Sequence, residues 1–130
     1  MKLKNTLSKA VVSAVAFFLF ANLSFGQLKK FKGTWLSEET TVKYDITVKG
    51  GEISIKAIDQ RDEEVLQVSN IHPHPEGTTV DISLYTPSTD YRVECELILI
   101  KRGKIKEVIY HDESIFEVYY KKEKKKITAE

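Results

Sequence analysis

The chain has 130 residues, with 20 Lys and Arg against 19 Asp and Glu and a single Cys. So even a balance argues against a nucleic-acid partner, because such proteins carry a clear basic excess. One Cys excludes an internal disulfide, so the fold must be held by its apolar core alone.

Residues 1–26 read as a secretory signal peptide. Lys2, Lys4 and Lys9 give a basic start, residues 10–23 are almost wholly apolar, and the small Ser24 and Gly26 precede Gln27. Cleavage is expected between Gly26 and Gln27. The apolar run is shorter than the roughly 20 residues of a membrane-spanning helix, and Ser13 and Asn22 interrupt it. No Cys stands at the cleavage point to carry a lipid anchor. The mature chain is expected to be secreted or periplasmic, with no membrane attachment. The segment holds three lysines and no acid, so its removal takes the formal charge from +1 to −2.

Beyond Gly33 the apolar residues recur at every second position, the period of a half-buried strand. After a short strand at 34–37, Val42, Tyr44, Ile46 and Val48 share one face and Lys43, Asp45, Thr47 and Lys49 the other. Gly50-Gly51 then supplies a two-residue hairpin turn. The return strand turns Ile53, Ile55 and Ala57 to the same side, and a polar turn follows at 59–62. In the next strand, 64–72, Val65, Leu66, Val68 and Ile71 break strict alternation, which predicts a bulge near Ser69-Asn70. His72-Pro73-His74-Pro75 removes ladder donors and ends that strand. Val80, Ile82 and Leu84 mark a fifth strand, and residues 86–90 form a loop. Residues 91–100 are the longest regular strand, with Tyr91, Val93, Cys95, Leu97 and Leu99 on one face. Turns at 101–104 and 111–113 flank a strand over 105–111. The last strand, 114–121, carries Phe116, Val118 and Tyr120 on one side and Ile115, Glu117 and Tyr119 on the other.

The expected fold is all-β: an antiparallel up-and-down meander of about eight strands, closing wholly or nearly into a small barrel, with a two-sheet sandwich as the alternative. It forms one domain over 27–120, followed by a solvated lysine-rich tail over 121–130.

Gly33-Thr34-Trp35, near the mature start and at the head of the first strand, resembles the Gly-x-Trp opening of lipocalin-like (calycin-type) proteins. The resemblance implies a barrel with Trp35 plugging its base, a basic side chain from near the last strand (here Lys121 or Lys122) against the ring, and a small apolar ligand admitted at the other end. The chain departs from the pattern in being shorter and in lacking both a disulfide pair and the C-terminal helix.

Chemistry is sparse. Asp45, Asp81, Glu94, Glu96 and Glu117 fall on polar faces, and the inward faces are read as almost free of acids and bases. Cys95, within an alternating apolar run, reads as a buried hydrophobe. His72, His74, Glu76 and His111 are the only set that suggests a metal, but neighbours on a strand point to opposite faces, so exposed loop histidines are expected and no metal or cofactor. The reading is therefore a non-enzymatic binding protein, with Tyr44, Tyr91 and Tyr120 as candidate ligand contacts. The alternative is an interaction module with a filled core, docking a protein partner through Ile98, Ile100, Ile115 and Tyr119 on the outer face.

Overall fold

The computed structural model describes residues 26–124. The segment up to residue 25, which holds nearly all of the expected signal peptide, and the tail from residue 125 lie outside the described residues. Eight strands follow a 3-10 turn at Lys29–Phe31: β1 (Gly33–Leu36), β2 (Val42–Lys49), β3 (Glu52–Asp59), β4 (Glu64–Pro73), β5 (Thr79–Thr86), β6 (Tyr91–Lys101), β7 (Lys104–His111) and β8 (Ser114–Lys122). Each pairs antiparallel with the next, and β8 returns to β1, so the sheet closes as an up-and-down barrel and not as a sandwich. Among the described residues no helix is long and apolar enough to cross a membrane.

Turn chemistry explains the connections. Gly50 and Gly51 both take positive φ, 58° and 82°, in the tight turn between Lys49 and its partner Glu52. That mirror-image turn matches the right-handed twist of the strands it joins. The bulge foreseen in β4 lies between Ser69 and His72, with Asn70 at φ 50°. A second bulge, between Leu99 and Lys101, was not legible in the alternation. β8 runs to Lys122, so the strand takes in the first two residues assigned to the tail.

Pairing is uneven around the wall. β2 and β3 are paired along their whole lengths, β5 along its whole length with β6 and β7 along its whole length with β8. β3 meets β4 only over 57–59 and 64–66, and β8 meets β1 only through Lys122 with Trp35 and Lys121 with Leu36. Closure there is reinforced by Glu123 N–H donating to Thr34 O at 2.8 Å and by Tyr119 N–H donating to Glu39 Oε2 at 3.2 Å.

The two ends of the barrel differ. At one end Leu28 and Phe31 turn inward beneath Trp35, whose Nε1–H donates to Phe31 O at 2.8 Å. Trp35 is fully buried, and Lys122 Nζ lies 5.8 Å from its ring centroid. Gly33 sits at φ 141°, and a Cβ there would run into the Lys122 side chain, so glycine lets the last strand close over the tryptophan. At the opposite end the strands finish in the loops 60–63, 87–90 and 112–113, while residues 37–41 climb the wall from the short β1 to β2 past Tyr119.

Candidate functional site

β7 turns Ile105, Glu107 and Ile109 inward, between Leu97 and Leu99 of β6 and Val118 and Tyr120 of β8. Glu107 is thereby a carboxylate inside an apolar barrel, 2% exposed. Three groups face it. Tyr120 O–H donates to Oε1 at 2.9 Å, Tyr44 O–H donates to Oε2 from across the barrel, and the Cys95 thiol reaches the same group. The Tyr44 and Tyr120 rings pack edge to face, 5.3 Å apart, and so hold the two hydroxyls on one acceptor.

Burial sets the electrostatics. It pushes the Glu107 carboxyl above the usual carboxylate range, against the hydrogen bonds from Tyr44, Tyr120 and Cys95 that favour the ionised form. Burial, followed by the nearby Glu107 charge, raises Tyr44, Tyr120 and the Cys95 thiol as well. Cys95 is thus held as an inert thiol, since the thiolate is the reactive form.

Above this cluster the inner wall is mainly apolar, with Asp59 in phase with Ile55 and Ala57 at the end of β3. Val42, Val68, Ile109 and Val118 are half-buried against the core. At the rim, Tyr91 and Phe116 continue the inward faces of β6 and β8 yet are 42% and 53% exposed. The Tyr91 ring stacks on His111 at 4.5 Å. The arrangement is an apolar mouth with one polar cluster beneath it, the distribution usual for small-molecule sites.

The residues singled out from sequence fall in different places. Of the three tyrosines, Tyr44 and Tyr120 come together, but in the core with their hydroxyls committed to Glu107, while Tyr91 stands apart at the rim. The inward faces, read as almost free of acids and bases, carry one that the sequence reading did not name, Glu107. A signal was present: Ile105 and Ile109 flank it at the strand period, which places it on their face. Its partners were not readable, because Tyr44 lies 63 residues away in sequence.

Ile98, Ile100, Ile115 and Tyr119 do share the outer surface of β6 to β8 but do not form one patch. Lys106 lies between Ile98 and Tyr119, Glu117 separates Tyr119 from Ile115, and Ile100 lies at the plugged end. The nearest apolar neighbour of Ile115, which is 64% exposed, is Tyr110, its cross-strand partner.

The histidines are also dispersed. His72 and His74 lie toward the plugged end and His111 at the open rim. His74 Nε2 is 2.9 Å from Asp81 Oδ2, a hydrogen bond that raises the imidazole pKa. Among the described residues no group of three or more His, Cys, Asp or Glu is placed to hold a metal ion.

Comparison with protein families, curated proteins and solved structures found no match for this chain. The barrel is shown by its own strand order and register.

Proposed function

We propose that this chain is an exported, non-enzymatic, lipocalin-like binding protein that holds a small apolar molecule at the open mouth of its barrel. The observation that carries the reading is the exposure of inward-facing Phe116 and Tyr91 at the end without a plug. Exposed aromatic area on an inner wall is costly in water, and a ligand seated there would cover it. The plugged Trp35 end supports the lipocalin-like comparison, as does the meander. The non-enzymatic reading is supported by the burial of the Glu107 and Cys95 side chains in the core, where the Glu107 oxygens are taken up by Tyr44 and Tyr120.

Titration with a fluorescent fatty acid tests the proposal. Saturable one-to-one binding is expected, weakened at least about tenfold, or 1.4 kcal/mol, by Phe116→Asp and unchanged by Ile100→Asp at the far end of the barrel. Binding that ignores both Phe116→Asp and Tyr91→Asp, or no saturable binding, would remove it. Native mass spectrometry of protein from its own host then identifies the bound species by mass.

The alternative reading has one observation in its favour. Tyr110 and Ile115 lie side by side on the outer surface of the same rim as Phe116. A co-purifying second chain, lost with Ile115→Asp and kept with Phe116→Asp, would favour a protein partner.

A further inference from the structure

The near-neutral composition conceals a separation of charge along the barrel axis. The three hairpin loops of the open end, 60–63, 87–90 and 112–113, hold five carboxylates and one cation, Arg61. At the plugged end three segments remote in sequence converge with the opposite sign. Lys29 and Lys30 of the 3-10 turn, Arg102 of the β6–β7 turn and Lys122 of β8 line one cleft of about 360 Å³ with Gly103, and no carboxylate lines it.

Beside the cleft Lys104 stands directly across the sheet from both Lys101 and Lys121. Like charges opposed across a sheet are destabilising, and alternation with Glu is the usual remedy. Glu38 and Glu39 line a neighbouring cleft with Lys104 and Lys121, yet among the described residues the only Lys or Arg ion pair with a carboxylate is that of Arg61 with Asp59, at the other end. Acids are opposed in the same way at Asp81 with Glu96 and at Asp59 with Glu64, but the basic set differs in converging from three segments on one cleft that no carboxylate lines.

We infer that this cleft binds an oxyanion of the phosphate class, either as a free anion or as the phosphate of a larger ligand. Arg102 sits on a tight turn with Gly103 at φ 78°, so its guanidinium projects from a short, fixed base. It supplies the planar fork that pairs with two phosphate oxygens, while Lys29, Lys30 and Lys122 supply point charges around the remainder. A Cβ at Gly103 would meet nothing within 4 Å, so the backbone of the turn is open to the ligand. The acidic far end orients the molecule's field so that an anion is drawn toward this end. The site is independent of the apolar mouth, since the core of the barrel lies between them.

The test is titration of the full mature chain with inorganic phosphate and pyrophosphate in low-salt buffer, followed by calorimetry and by the thermal midpoint. Saturable binding is expected, with a midpoint that rises with ligand concentration as binding to the folded state requires. Arg102→Glu with Lys30→Glu should weaken it by about tenfold or more, while Lys43→Glu with Lys56→Glu, the same change of charge on the β2–β3 wall, should leave it within about twofold. A parallel arm measures sedimentation with vesicles of phosphatidic acid against vesicles of phosphatidylcholine. Binding to pyrophosphate with no vesicle preference assigns a soluble phosphate ligand, and a phosphatidic acid preference lost in the Arg102 and Lys30 variant assigns a headgroup. Binding that both double variants weaken equally would overturn the inference, because net charge and not the cleft would then be the cause. So would the absence of saturable binding in both arms.

Discussion

Replacing Glu107 with leucine is expected to cost roughly 3 kcal/mol of folding stability, although leucine is apolar and the site is an apolar core. The loss comes from Tyr44 and Tyr120, whose buried hydroxyls would be left without an acceptor, at about 1–3 kcal/mol for each unsatisfied group. A domain of this size has about 5–15 kcal/mol in all, so the unfolding midpoint should fall by well over about 10 °C. The triple variant Glu107→Leu, Tyr44→Phe, Tyr120→Phe should recover most of that loss, since removing a whole buried polar network is often neutral. Urea denaturation of the single and triple variants checks this. If the triple variant is less stable than Glu107→Leu alone, hydrogen-bond satisfaction is not what the cluster provides.

The same carboxyl sets a pH dependence. Because burial raises its pKa in the folded state, the folded protein holds a proton that the unfolded chain has released. Its contribution is fully present below the ordinary carboxylate pKa and is lost as pH rises through the raised value. The stability of the wild type relative to Glu107→Gln should therefore decline from about pH 4 upward. His74 is also raised by its hydrogen bond to Asp81, but it is common to both proteins and cancels in the difference. A flat difference across that range would show that Glu107 titrates as it does in the unfolded chain.

Trp35→Ala should be the other large loss, at about 3–5 kcal/mol, because the ring is fully buried and its removal leaves a cavity. The effect extends beyond the ring. Trp35 Nε1–H holds Phe31 O, so its loss releases the turn that plugs the barrel. Trypsin should then cut after Lys29 and Lys30 faster in both Trp35→Ala and Trp35→Phe than in the unchanged protein, and fastest in Trp35→Ala, since phenylalanine lacks the hydrogen bond but keeps part of the ring packing. Cleavage unchanged from the native chain in both variants would mean that the turn is held by Leu28 and Phe31 alone. Trp35 is the only tryptophan, so its fluorescence reports unfolding in the native chain without a label.

How far these features were legible follows from what alternation encodes. The run of Val42, Tyr44, Ile46 and Val48 against Lys43, Asp45, Thr47 and Lys49 gave the strand, its inner face and its glycine turn, because each is settled within a few residues. The bulge in β4 was visible for the same reason, since a broken alternation is itself local. Glu107 was half-visible: its face followed from Ile105 and Ile109, but the hydroxyls that satisfy it belong to β2 and β8. The outer apolar residues were placed on the right side of their strands, yet only the lateral register showed Lys106 and Glu117 dispersing them.

The sequence alone thus determined the strands, their turns and which side chains face the core, since a period of two residues is a local property of the chain. It also determined that no internal disulfide could assist the fold. Only the tertiary structure decided that the sheet closes into a barrel, that Tyr44 and Tyr120 meet on one buried acid, and that Lys29, Lys30, Arg102 and Lys122 share a cleft. Those facts depend on register and closure, which join residues distant in sequence, and no pattern confined to one strand specifies its neighbour's position.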